Sequence, residues 1–238
     1  MRKILFLLMA ALAFVSCRVN TGKRVKGNGN VNSETRNVDQ ASRVKISGNF
    51  QVELVKGRPG VRIEADENLL RYIVTRNENG WLVIRSRENY RLRSEHPIRV
   101  FVSTDAVEAI HIAGSTKVRS AGKFDGSEKL DIDIAGSGEV DMNVNTPVVA
   151  VDIAGSGEVR LEGETRDATV DIKGAGSYDA SQLLTEKTEV DITGSGEANV
   201  HADVSLDAHI IGSGTVYYRG NANVKSKTTG SGKIARMQ

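Results

Sequence analysis

Cysteine, proline and aromatic residues are scarce in this chain of 238 residues. A single cysteine excludes an intramolecular disulfide, and 3 prolines and 11 aromatic residues argue against an aromatic-rich catalytic core. No apolar run reaches the roughly 20 residues that a transmembrane helix requires. Because 39% of the residues are hydrophobic and 26% are charged, the composition excludes both a disordered chain and a polytopic membrane protein.

The charge is balanced overall but unevenly distributed. The 32 Lys and Arg nearly cancel the 30 Asp and Glu, so the net charge does not predict a nucleic-acid partner. Up to Asp105 the chain carries 19 basic and 10 acidic side chains, whereas the remainder carries 13 and 20. The part up to Asp105 is therefore net basic, and the remainder is net acidic.

The N-terminus has the pattern of an export signal. Arg2 and Lys3 precede an apolar run over residues 4–15, which predicts a signal peptide over residues 1–16. Cys17 follows Ser16 at the end of this run and resembles the lipid-attachment cysteine of bacterial lipoproteins. We therefore predict that lipid on Cys17 holds the protein to a membrane. The alternative is a plain signal peptide with an incidental cysteine.

Residues 17–40 are polar and rich in Gly and Asn, and they predict a flexible tether.

An internal repeat dominates residues 106–238. A glycine corner recurs at Gly114, 136, 155, 174, 194, 212 and 230, in steps of 22, 19, 19, 20, 18 and 18 residues. The clearest unit is VDIAGSGEV at residues 151–159, which is echoed at 132–140 and 190–198. On both sides of each corner, apolar residues alternate with polar ones, as in β-strands. Repeats this short without a helix are too small for a propeller blade and predict an all-β fold, a parallel β-helix.

The inward rows of this solenoid follow from the alternation. Counted from each corner glycine, positions −4 and −2 are apolar in twelve of fourteen cases, and the exceptions are Ser226 and Thr228 in the last repeat. Such a polar pair is expected where a solenoid ends. Residues 41–105 show other strand patterns and a possible short helix over residues 67–74, and we predict a β-rich cap that closes the N-terminal end of the stack.

Three sequence segments resemble a known family. VKISGNFQVELVKG (44–57), EADENLLRYI (64–73) and the iterated DIAGSGEV are similar to the GIN-domain family of Bacteroidetes envelope proteins, described as adhesin heads. The resemblance implies a fold similar to a right-handed β-helix and a place in the cell envelope. In lipoproteins of that type an acidic stretch after the cysteine accompanies surface export. Residues 18–20 contain no acidic side chain, which favours the periplasmic side of the outer membrane.

No catalytic or cofactor-binding motif stands out. The four histidines are scattered, and the Gly-Ser-Gly corners lack the residues and the following helix that phosphate binding requires. We therefore predict a protein that is not an enzyme and that serves as an adhesin or scaffold, with envelope or host glycan or protein as possible partners. A periplasmic binding or envelope-maintenance module is the alternative, and a polysaccharide-active β-helix enzyme is a weaker one.

Two charged features remain as candidate binding surfaces. Position −3 points outward and places Asp133, Asp152, Asp171 and Asp191 in one column. Because each has a carboxylate above and below it, Asp152 and Asp171 are predicted to have raised pKa values, and a calcium site on these four residues is one hypothesis. Simple screening by solvent and neighbouring cations is the alternative. The Arg-rich stretch over residues 87–99 is either a contact for phosphate or anionic lipid, or a solvated loop.

Overall fold

The computed structural model describes residues 22–237 and is nearly all β, with 71% strand and 2% helix. The chain before the repeats forms nine strands and one helical turn: β1 (Lys23–Lys26), β2 (Val31–Arg36), β3 (Arg43–Gly48), β4 (Gln51–Lys56), β5 (Gly60–Asp66), α1 (Glu67–Leu70), β6 (Ile73–Glu78), β7 (Trp81–Ser86), β8 (Tyr90–Arg93) and β9 (Arg99–Thr104).

The repeats form the remaining strands: β10 (Ala109–Gly114), β11 (Lys117–Asp125), β12 (Lys129–Gly136), β13 (Glu139–Asn145), β14 (Val148–Gly155), β15 (Glu158–Gly174), β16 (Ser177–Gly194), β17 (Glu197–His201), β18 (Ser205–Gly212), β19 (Thr215–Arg219), β20 (Asn223–Gly230) and β21 (Lys233–Arg236). Within the described residues, no helix is long and apolar enough to cross a membrane.

The repeats stack as parallel coils of a β-solenoid, as the alternation predicted. Strands that end at a corner glycine pair in parallel with their counterparts in the next coil, and we call their ladder the first face. Strands that follow the corner form a second parallel ladder, the second face. The long strands β15 and β16 contribute to both faces. Equivalent positions of successive repeats lie directly opposite each other, as in Val151 with Val170 and Ile153 with Ile172.

The corner glycines are required by both conformation and space. Gly155 has φ +124°, and a Cβ atom there would lie 2.5 Å from the carbonyl oxygen of Gly136 in the coil below. The second glycine of the corner is equally confined, because a Cβ on Gly157 would lie 2.7 Å from Cγ2 of Ile134. Ser156 donates its backbone N–H to the Gly136 carbonyl at 2.9 Å, which locks one corner onto the next. Only glycine combines this backbone conformation with such close approach.

The inward rows make one continuous core. The residues at positions −4 and −2 are buried in every repeat from Ile110 to Ile210, whereas Ser226 and Thr228 in the last repeat are exposed. The prediction of a polar C-terminal end is therefore confirmed. At about 25 cal/mol per Å², burial of these Val and Ile side chains is the main stabilising term of the stack.

The N-terminal region continues the stack and then closes it. β3 and β4 form a first coil in register with β10 and β11. The chain then turns back, so that β7 lies beside β3 and β9 lies beside β4 on the side away from the repeats. β5 and β6 add antiparallel strands to this end. Residues 41–105 thus supply one true coil and a base, rather than a cap alone. α1 is also shorter than the segment predicted for it.

The expected tether over residues 17–40 is wrong for its described part. β1 pairs in parallel with β8, and β2 pairs antiparallel with β5. Arg36 fixes the end of β2 by donating hydrogen bonds to the carbonyl oxygens of Ile73 and Leu70. Most β2 side chains are exposed, so the segment has the composition of a linker. Its order comes instead from backbone hydrogen bonds to a neighbouring strand, which composition does not reveal.

Candidate functional surfaces

The four carboxylates predicted at position −3 lie in one column on the first face. The strand register places Asp133 opposite Asp152, Asp152 opposite Asp171, and Asp171 opposite Asp191. The column continues downward to His111 and upward to His209. We call Asp133, Asp152, Asp171 and Asp191 the acidic column.

Asp152 in the middle of the column has a raised pKa, as predicted. Desolvation by the surrounding sheet is the largest cause, and the charge of Asp171 adds to it. The Lys173 ammonium acts in the opposite direction. The column is therefore electrostatically unfavourable at its centre and is only partly compensated.

Contacts with neighbouring side chains limit the repulsion elsewhere in the column. The Lys173 ammonium donates a hydrogen bond to the Asp171 carboxylate. At the upper end, Nδ1 of His209 lies 3.3 Å from Asp191 and its Nε2 lies 3.2 Å from Asp207. These contacts fit the screening alternative that the sequence left open.

The geometry gives no support to a calcium site on the acidic column. Calcium takes six to eight oxygen ligands that converge on one point. Side chains on successive parallel strands instead project side by side, about 4.8 Å apart. Across residues 22–237, no group of three or more His, Cys, Asp and Glu side chains is arranged to hold a metal ion.

On the second face, carboxylates and cations are interleaved. Glu139 accepts hydrogen bonds from Lys117 and Arg119, and these contacts lower its pKa. Two positions further along, one column has alternating charge over five coils, and its members are Glu53, Arg119, Asp141, Arg160 and Asp179. Arg160 Nε lies 3.8 Å from Asp179 in this column. At these positions of the second face, carboxylates therefore have cations as neighbours.

A groove interrupts the second face near the base. The pairing of β11 with β13 shifts between Arg119 and Lys123, so residues 120–122 bulge from the ladder. Beside the bulge lies an open cavity of about 550 Å³, lined by residues that include Arg99, Phe101 and Arg119. The Arg62 guanidinium stacks on Phe101 at 3.9 Å. The unusual 22-residue step of the first repeat was the sequence signal for this bulge.

Cys17, predicted to carry lipid, lies outside the described residues. The Arg-rich stretch does lie within them. Its residues 90–93 form β8, which pairs with β1 in a separate two-stranded sheet. The sequence identified the basic character of this stretch but not its partner strand, because the pairing joins segments more than 60 residues apart.

A family model described as "Putative auto-transporter adhesin, head GIN domain" matches residues 40–222. The chain belongs to this family. The match confirms the resemblance carried by the three sequence phrases, and it covers the first coil, the base and nearly all of the repeats. No curated protein matches this GIN-domain chain.

Solved structures share the fold of this GIN-domain protein. One from Bacteroides fragilis, titled a putative adhesin, has 20% identity and a TM-score of 0.83, and it aligns over 90% of this chain and 100% of its own. Another from Parabacteroides distasonis, titled a putative lipid binding protein, has 25% identity, a TM-score of 0.75 and coverage of 91% and 100%. A putative adhesin from the same species has 20% identity, a TM-score of 0.72 and coverage of 90% and 100%.

Proposed function

We propose that this protein is a non-enzymatic, lipid-anchored protein of the cell envelope that acts as an adhesin or scaffold through the faces of its solenoid. The observation that carries the proposal is the continuous register of the repeats along the first face. It holds outward side chains in straight columns on a stiff support, which suits extended contact with another macromolecule better than conversion of a small substrate. Membership of a family described as adhesin heads agrees with this function.

The anchor is the first testable part of the proposal. Cys17 supplies the thiol that would carry the lipid, and several acyl chains together give stable membrane attachment. Cells that express the wild-type protein should incorporate labelled fatty acid into it, whereas the C17A variant should not. Equal labelling of the two proteins would contradict lipid attachment at Cys17.

The side of the membrane decides between the two binding functions. We propose an outer-membrane location with the periplasmic side favoured, because no acidic stretch follows Cys17. An adhesin for host glycan or protein must be reachable from outside, whereas a scaffold or an envelope-maintenance module works in the periplasm. Protease treatment of intact and permeabilised cells separates the cases. Degradation only after permeabilisation supports the periplasmic scaffold, and degradation in intact cells supports the adhesin.

Absence of catalysis is tested separately. The purified protein is incubated with a panel of envelope and host glycans, and reducing ends are measured. Release of reducing ends by the wild type above a heat-denatured control would show a polysaccharide-active enzyme and contradict the proposal.

A further inference from the structure

The small sheet formed by β1 and β8 presents four cations on one surface. Arg24 lies opposite Arg91, and Lys26 lies opposite Arg93, in parallel register. All four side chains are exposed. We call them the basic quartet.

The opposite side of this sheet is fixed to the body of the protein. Val25 and Leu92 are partly buried against the core, and the Tyr90 ring lies 4.6 Å from that of Tyr72. Alternation along each strand therefore directs the basic quartet away from the core. An isolated two-stranded sheet is marginally stable in water, so this packing is what maintains the arrangement.

A buried carboxylate secures the ends of both strands. Asp66 is 1% exposed and accepts hydrogen bonds from the backbone N–H of Gly29 and from the Ser94 hydroxyl. Gly29 follows β1 and Ser94 follows β8. The basic quartet is thus held by a rigid framework rather than by a loop that rearranges freely.

Basic side chains outnumber acidic ones in the two segments that carry the quartet. Like charges directly opposite each other on neighbouring strands are destabilising. Residues 23–26 and 87–95 contain six Lys and Arg against two Glu. Of these, Glu95 lies 3.3 Å from Lys26 as a highly exposed ion pair, a kind of contact that is weak in water. An external anion would relieve this repulsion.

The β1 half of the quartet also lies close in sequence to the proposed lipid attachment. Arg24 follows Cys17 by seven residues, which span at most about 25 Å when fully extended. A membrane that holds Cys17 would therefore lie within reach of the basic quartet. The end of the stack with Ser226 and Thr228 is many coils away from it.

We propose that the basic quartet binds the phosphate groups of an anionic membrane surface, and so orients the solenoid with its base on the membrane that carries the anchor. The proposal rests on the lipid anchor proposed above for its biological setting. Each basic residue near an anionic bilayer contributes about 1 kcal/mol, which corresponds to roughly fivefold in affinity. Four together suffice to orient a protein that is already tethered.

Vesicle sedimentation tests this binding without the anchor. The protein tested is residues 18–238, which lacks Cys17 but contains every described element. The similar Bacteroides fragilis structure aligns over its whole length with 90% of this chain. The probes are vesicles of phosphatidylcholine alone and vesicles containing about one third phosphatidylglycerol. The wild type should bind only the anionic vesicles, and high salt should release it.

Matched variants locate the binding surface. R24Q/K26Q should weaken binding to anionic vesicles by roughly 30-fold, because two charges are lost. K225Q/K227Q removes the same charge from exposed positions of β20 at the far end and should bind like the wild type. All four substitutions are on exposed side chains, so circular dichroism melts should show no loss of stability.

Several results would overturn the proposal. They are equal loss of binding in the two double variants, equal binding to neutral and anionic vesicles, and no binding of the wild type at low salt. Fatty-acid labelling of the full chain separates this failure from that of the anchor. Labelling of Cys17 without vesicle binding would refute only the basic quartet, and vesicle binding without labelling would refute only the anchor.

Discussion

Asp152 on the first face and Glu139 on the second face lie on consecutive strands and both belong to outward rows, yet their pKa values shift in opposite directions. Asp152 stands between two other carboxylates, and burial and their charges raise its pKa. Glu139 stands beside Lys117 and Arg119, which lower its pKa. Outward orientation alone therefore does not set the direction in which the pKa of a carboxylate shifts. Its burial, together with its neighbours in the coils above and below, decides whether its charge opposes or supports folding.

The comparison depends first on the division between inward and outward rows. I153D places a charge among buried Val and Ile, and we expect it to lower the free energy of unfolding by about 4 kcal/mol. D152N, one position away on the outward row, is the control and should change it by less than about 1 kcal/mol. Urea unfolding measures both. Similar losses in the two variants would show that the rows are assigned wrongly.

The corners keep the two faces in register, so they provide the next test. G155A should lower the free energy of unfolding by about 3 kcal/mol, because the methyl group meets the Gly136 carbonyl and the backbone has positive φ. Gly126 also has a positive φ, +87°, but the space around it is open. G126A should therefore lower the free energy of unfolding by only about 1 kcal/mol. If the two substitutions were equivalent, close stacking of the corners would not contribute to stability.

Glu139 is expected to stabilise the second face. E139Q should lower the free energy of unfolding by about 1 kcal/mol at neutral pH, because charged hydrogen bonds from Lys117 and Arg119 are weakened. A lowered pKa in the folded state means that this contribution is present above the ordinary value of 4.5 and is lost as the pH falls through the folded pKa. Thermal melts at neutral and acidic pH should therefore show the difference from wild type shrink in acid. A constant difference would contradict the ionic origin.

Asp152 is expected to behave in the opposite sense. Since its folded pKa is raised above the ordinary value of 3.8, its ionised form opposes folding above the folded pKa, and the penalty is relieved as the pH falls. D152N should raise the free energy of unfolding by a few tenths of a kcal/mol at neutral pH, with the advantage disappearing in acid. Higher salt should also reduce it. Destabilisation by D152N at neutral pH would show that the charge has a favourable partner.

Calcium gives the smallest expected effect. Millimolar calcium should raise the melting temperature of the wild type no more than magnesium at the same concentration, because the acidic column offers no convergent set of ligands. A rise specific to calcium, lost in the D152N/D171N variant, would restore the metal site that the geometry does not support.

Residues on the two faces also show which contacts could be predicted from the sequence and which could not. The column from Asp133 to Asp191 followed from period two and the spacing of the glycines, because equal repeats in a parallel stack must align like positions. The hydrogen bonds that Glu139 accepts from Lys117 and Arg119 did not follow, since they depend on the conformations of long side chains as well as on the alignment of like positions. The order of β1 and β2 was also missed, because their polar side chains concealed strands stabilised by backbone pairing.

The solenoid could be predicted from the sequence, because alternating apolar residues around regularly spaced glycines are buried together when the repeats stack in parallel. The sequence also determined which end is polar, through Ser226 and Thr228. How the chain begins its stack could be seen only in the folded protein, where β3 and β4 form a first coil before the base and β1 pairs with β8. Those pairings depend on backbone hydrogen bonds between distant segments, which side-chain patterns do not encode. The same pairings assemble the basic quartet, whose two halves are separated by more than 60 residues of sequence.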